Sequence, residues 1–173
     1  MPPADPTDRG APAPEPAALE PVDGLFAARV RDSFARQPFM GHLGARITAL
    51  EPGFCEITVD YRRELTQQHG FVHGGVLASI ADSAAGYAAF SLMPADASVL
   101  TVEYKLNLLR PGQGDAMIAR GRVLKPGRTL SVVQADVFAR RGAGEEQVVS
   151  SLQTLICLAG KADEAPGAAA KAR

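Results

Sequence analysis

Apolar residues change their spacing along this chain, and each change marks a boundary. Leu25, Phe26, Val30 and Phe34 recur every three or four positions, the period of a helix with one buried face. Asp23 stands where a carboxylate favours a helix start and Pro38 where a helix stops, so one amphipathic helix is predicted from Val22 to Pro38. The period then falls to two. Ala45 to Leu50 and Phe54 to Tyr61 alternate apolar and polar residues on either side of Glu51-Pro52-Gly53, which reads as a hairpin. Val99 to Leu109 alternates again, with Val102, Tyr104, Leu106 and Leu108 pointing one way and Thr101, Glu103, Lys105 and Asn107 the other. Further strands are predicted at Ala116 to Leu124, Thr129 to Ala139 and Gln147 to Leu158. The turns are Pro111-Gly112-Gln113-Gly114 and Lys125-Pro126-Gly127-Arg128, with a polar loop from Arg140 to Glu146.

One stretch fits neither period. From Val76 to Met93 the chain is apolar almost all round, contains no proline and carries a single formal charge, Asp82. Gly74 to Met93 approaches the length of a membrane span, but Asp82, Ser79, Ser83, Ser91 and the many alanines and glycines mark a buried helix of a soluble domain. The predicted order is helix, two strands, one long helix, then four strands in a meander. That is an α+β fold in which a curved antiparallel sheet wraps a long central helix, the hotdog arrangement. Such a sheet covers only part of the helix, so burial alone predicts a homodimer.

Composition narrows the picture. Met1 to Pro21 is rich in proline and alanine and is expected to be a disordered tail; 22–159 forms a single domain, and 160–173 a second flexible tail. A formal net charge of -1 over 173 residues offers no general field for nucleic acid or for an anionic membrane surface, and neither partner is expected. The N-terminus lacks the charged start and apolar core of a secretory signal. Cys55 and Cys157 lie in separate apolar runs without a CxxC or Cys/His partner, so they read as reduced core thiols of a cytoplasmic protein.

The chemistry concentrates in the long helix. Val76, Leu77, Ile80, Ala81, Ala84, Tyr87 and Ala88 share a broad face for the sheet, while Gly75, Ser79, Asp82, Gly86 and Ala89 form a second face of small residues around the acid. That second face is either a tight dimer seam with Asp82 hydrogen-bonded across it or a narrow channel ending at a carboxylate. An unpaired buried carboxylate is costly, which makes Asp82 the first candidate for a reacting group. His73-Gly74-Gly75 precedes the helix, where free backbone N–H groups point outward and two glycines let a carbonyl oxygen approach. Gly74 and Asp82 are eight residues apart, about 12 Å along a helix, so they cannot both touch one carbonyl. If both act, Gly74 of one subunit must face Asp82 of another across two antiparallel helices.

With these residues in view, Gln67 to Tyr87, Thr101 to Asn107 and Gly127-Arg128-Thr129 together resemble the PaaI-like branch of the hotdog-fold acyl-CoA thioesterases, over roughly Phe39 to Leu158. The resemblance implies an acyl-CoA or aryl-CoA substrate hydrolysed to free acid and CoA. It implies that Gly74 donates its N–H to the thioester oxygen, that Asp82 acts as general base or nucleophile, and that Thr101 holds the attacking water. Gln67 stands where the family often has an asparagine that polarises the carbonyl, and Gln68 is the alternative in that role. His73 and Gly75 would contact the substrate. Lys125 and Arg128 are either phosphate ligands for CoA or a solvated hairpin tip. No metal or cofactor is called for, and the expected assembly is a homodimer, with a dimer of dimers beyond it. An α/β-hydrolase is excluded by the absence of GxSxG and of alternating strands and helices. A hotdog hydratase or dehydratase would need a closer acid–histidine pair than Asp82 and His73. A non-catalytic acyl-CoA-binding module would not need Asp82, and a DNA-binding regulator would need a second helix for a helix-turn-helix.

Overall fold

A computed structural model describes residues 19–163. The expected tails therefore lie mostly outside the described residues, the first up to 18 and the second from 164. The elements in chain order are α1 (Phe26–Ala35), α2 (Pro38–Leu43), β1 (Arg46–Glu51), β2 (Phe54–Asp60), α3 (Gly74–Phe90), β3 (Ser98–Leu108), β4 (Ala116–Lys125), β5 (Leu130–Arg141) and β6 (Gly144–Leu158). Among the described residues no helix is long and apolar enough to cross a membrane.

The first helical stretch divides at the proline. Asp23 Oδ1 accepts a hydrogen bond from the Leu25 amide at 2.8 Å and so organises the start of α1. The helix closes at Ala35, and Gln37 takes the extended backbone that the residue before proline prefers. Pro38 then opens a second helix, α2, because a first-turn residue needs no N–H partner. The single helix expected up to Pro38 is thus α1, which ends at Ala35, and α2 is a further helix that the sequence reading did not predict, beginning at the proline. Arg29 of α1 donates to the Phe90 and Met93 carbonyls at 3.3 and 2.7 Å, tying α1 to the C-terminal end of α3.

All six strands form one antiparallel sheet in the order β1-β2-β4-β5-β6-β3. The β1–β2, β4–β5 and β5–β6 hairpins are as the turn residues predict, with β5 and β6 running on until only Gly142-Ala143 separates the strand ends. The four-strand meander is not. β3 does not pair with β4 but lies at the edge beyond β6, and β4 inserts between β2 and β5. The connection after β3 is held along the way by other partners: the Leu109 amide donates to the Val148 carbonyl at 2.8 Å, Val72 to Gly112 at 2.9 Å and Asp115 to Arg140 at 2.7 Å. These bonds carry the chain across the end of the sheet, which a tight hairpin would not do.

α3 lies on the concave face. Leu77, Ile80, Ala81, Ala84, Ala85 and Ala88 are buried against Ile57, Met117, Ala119, Val133, Ala135 and Leu155 of the strands. The approach is closest at Gly121 of β4, where a Cβ would stand 2.3 Å from the Ala84 carbonyl oxygen. Two residues depart from the expected helix faces. Ala89 is buried in the core rather than facing the open side, and Tyr87 turns from the sheet toward α1, with its ring 5.6 Å from that of Phe34. Leu100, Val102, Tyr104 and Leu108 of the edge strand β3 are each half exposed or more.

Candidate active site

The N-terminus of α3 is prepared by the loop before it. Thr66 and Val72 form an isolated bridge, and inside it the Gln67 amide donates to Phe71 O at 2.9 Å and the Gly70 amide to Gln67 O at 3.0 Å. Gly70 has φ +83°, a conformation open to glycine. His73 is the N-cap, extended at φ -60°, ψ 136°, and its Nδ1 accepts the Gly75 N–H at 2.9 Å. With Nδ1 accepting, the ring proton of a neutral His73 sits on Nε2. The Gly75 amide, offered by the sequence as a substrate contact, is therefore occupied by His73. The Gly74 amide has no acceptor among the described residues.

Gly74 lines a pocket of about 370 Å³ together with Gln67, Phe71, Leu77, Leu108 and Arg110. Gln67 lines this pocket, and its Oε1 accepts from the His69 amide, which leaves Nε2 as a donor. Gln68, the alternative, is exposed and lines no described cavity. Arg110 is a cation at this pocket that the sequence reading passed over; its signal was only its place beside Pro111 at the end of a strand. It is paired with Glu146 at 2.9 Å.

Asp82 stands two turns further along α3, on the face away from the sheet and only partly buried. Thr101 of β3 donates from Oγ1 to Asp82 Oδ1 at 2.7 Å. Both line a cavity of about 810 Å³ bounded by α3, β3, α1 and α2, with Gly75, Ser79, Ser83 and Gly86 on its α3 wall.

Simple alternation does not put Thr101 there. The β3–β6 register shifts between Thr101 and Glu103, leaving Val102 as an extra residue. Before the shift Thr101 pairs with the buried Leu155; after it Tyr104 pairs with the buried Gln153 and Glu103 with Thr154. Thr101 consequently shares the helix-facing side with Tyr104, whereas strict alternation assigns them opposite faces.

Within one chain, Gly74 and Gln67 meet at one pocket and Asp82 and Thr101 at another. Eight helical residues, about 12 Å, separate the two groups. Lys125 and Arg128 are exposed in the β4–β5 turn, where the Thr129 carbonyl accepts from the Cys157 amide at 2.8 Å. Val99 pairs with Cys157, so this turn lies at the Thr101 end of the sheet rather than the Gly74 end, and it lines no described cavity. Among the described residues no group of His, Cys, Asp and Glu side chains converges as a metal ion would require.

Comparison with known proteins adds four findings. The thioesterase superfamily model matches residues 69–145, a span that includes His73, Gly74, Asp82 and Thr101. The acyl-coenzyme A thioesterase PaaI of Escherichia coli is 33% identical over 97 residues, covering 55% of this chain and 66% of that protein. The crystal structure of a thioesterase family protein from Silicibacter pomeroyi superposes with a TM-score of 0.77 at 52% identity, over 78% of this chain and 99% of the other. The E. coli PaaI structure superposes with a TM-score of 0.71 over 79% of this chain and 96% of its own, at 22% identity, which speaks to the shared fold.

Proposed function

We propose a reaction for a chain that belongs to the thioesterase superfamily, in its PaaI-like branch: hydrolysis of an acyl-CoA or aryl-CoA thioester to free acid and CoA, in the cytoplasm. The observation that carries the reading is the Thr101–Asp82 hydrogen bond on a cavity wall, with an uncommitted Gly74 amide at the head of the same helix.

In this reading two copies of the chain build each site. The thioester oxygen lies against the Gly74 N–H of one copy, at the positive end of the α3 dipole, with Gln67 Nε2 as a second donor. Asp82 and Thr101 come from the other copy. As general base, Asp82 takes a proton from water while the water oxygen bonds to the acyl carbon; the C–S bond then breaks and the thiolate leaves with its electron pair and regains a proton. As nucleophile, Asp82 would itself bond to the acyl carbon and release the thiolate, and water would open the resulting anhydride. Thr101 Oγ1 fixes the carboxylate in either case and can pass its hydrogen bond to the incoming water. His73 holds the first turn by taking the Gly75 amide. Lys125 and Arg128 are the cations offered to the CoA phosphates.

The half-exposed apolar residues of the β3 edge and the open face of α3 support a homodimer joined along these elements, with a dimer of dimers as the larger assembly. A panel of acyl-CoA esters with released thiol as readout tests the activity, using wild type and Asp82→Asn. Turnover of none, or an Asp82→Asn variant as active as wild type, overturns the assignment. Sedimentation showing a monomer at micromolar concentration removes the shared site.

A further inference from the structure

We propose that the cavity at the tip of the β5–β6 hairpin binds the phosphate end of a nucleotide through Arg110 and Arg141, with Glu146 as a built-in competitor for Arg110. The cavity has a volume of about 430 Å³ and lies between the hairpin tip and the connection that follows β3, with no α3 or β3 residue in its wall. Phe71, Arg110 and Pro111 line both this cavity and the Gly74 pocket, so the two form one trough.

Local contacts position both guanidinium groups. The Asp115 amide donates to the Arg140 carbonyl at 2.7 Å and the Asp115 carboxylate accepts from the Gly142 amide at 2.9 Å, so one residue holds the backbone on either side of Arg141. Arg110 donates from Nη1 to the Gln147 carbonyl at 3.1 Å, and its Nε pairs with Glu146 at 2.9 Å. Among the described residues Arg110 Nη2 has no acceptor, and the Arg141 guanidinium has none either.

Two acids also line the cavity, and both are committed. Glu145 accepts from Arg120 through both oxygens, at 2.6 and 3.0 Å, and Glu146 holds Arg110. Arg141 is therefore the cation in excess. The Arg110–Glu146 pair is exposed on both sides, so it is weakly held, and a doubly charged phosphate can take Arg110 from a singly charged carboxylate. Phe71 and Pro111 add an apolar flank on which a base can lie, which favours a nucleotide over bare phosphate. Two sources present this chemistry: a free nucleotide, and the nucleotide half of CoA. The site does not depend on the thioesterase reading.

The test is calorimetric binding of ADP, CoA, pantetheine and inorganic phosphate to the full chain, in wild type, Arg110→Gln, Arg141→Gln, Glu146→Gln and Arg122→Gln. All four side chains are exposed, so the variants should fold, with melting as the check. Wild type should bind ADP or CoA more tightly than inorganic phosphate, and less tightly as salt rises. Arg110→Gln and Arg141→Gln should each weaken that binding about fivefold or more, and Glu146→Gln should strengthen it about threefold. Arg122→Gln, an exposed arginine outside the cavity, should change it less than twofold. Pantetheine, which has no phosphate, should not respond to these charges. Tight CoA with weak ADP supports the site with CoA as its source, and ADP as tight as CoA supports it with a free nucleotide. Wild type binding none of the phosphates, Arg110→Gln and Arg141→Gln binding like wild type, or an equal loss in Arg122→Gln overturns it. Because the readout is binding, a chain that hydrolyses no thioester overturns the thioesterase reading and leaves this result standing.

Discussion

Thr101 Oγ1 lies 2.7 Å from Asp82 Oδ1, a contact between an edge strand and a helix 19 residues earlier in the chain. The bulge at Val102 makes it possible by turning Thr101 toward α3. Thr101→Val keeps the β-branched shape and removes only the hydroxyl. Steady-state kinetics should show kcat falling about 10- to 100-fold with a smaller change in KM, and Asp82→Asn should cost about 10²- to 10⁴-fold. A Thr101→Val enzyme with wild-type kcat would mean that the contact only packs the strand.

Gly74 permits an unusually direct test of a backbone donor. It is the first residue of α3, where proline is tolerated, and His73 before it already has the extended backbone that proline requires. Gly74→Pro deletes the N–H and adds ring atoms whose nearest neighbour at Cβ is the flexible end of Leu108, 3.0 Å away. The variant should melt close to wild type while losing about 10²- to 10³-fold in kcat/KM.

Two inactive variants should rescue each other. Coexpressed Asp82→Asn and Gly74→Pro chains would form mixed dimers in which one site takes its intact Gly74 from one chain and its intact Asp82 from the other. Random pairing makes half the dimers mixed with one good site of two, so about a quarter of wild-type activity is expected. A site lying wholly within one chain would give none.

Gly121 allows α3 to sit on the sheet. A Cβ there would stand 2.3 Å from the Ala84 carbonyl oxygen, which is backbone and cannot rotate away. Gly121→Ala should destabilise the fold by about 1–3 kcal/mol, read as a shifted midpoint in urea, with activity reduced through displacement of α3.

Cys55 supplies an alkaline signature. Burial pushes its thiol up to about 12, above its ordinary value of 9.0. A group whose pKa is raised by folding contributes stability below its unfolded pKa and loses that contribution as pH rises through the folded one. Between about pH 9 and 12 the unfolded thiol ionises while the buried one does not, so wild type should lose stability relative to Cys55→Ala across that window. At pH 8 a thiol reagent should label the partly exposed Cys157 ahead of Cys55.

Local chemistry determined a good deal of this protein. The two hydrophobic periods, the turn residues and the unbroken run from Val76 fix which segments are helix or strand, because side-chain period and backbone freedom act over a few residues. The eight-residue spacing of Gly74 and Asp82 likewise fixed that one chain cannot bring both to one atom, and the two separate pockets agree with it. What the sequence left unread lies where long-range pairing overrides local preference. Pro38 as a helix opener, β3 beyond β6 instead of beside β4, and Tyr87 turned to α1 all depend on partners distant in sequence. The bulge at Val102 is the sharpest case: alternation alone sends Thr101 to the wrong face, and only the pairing of β3 with β6 places an extra residue that points it at Asp82.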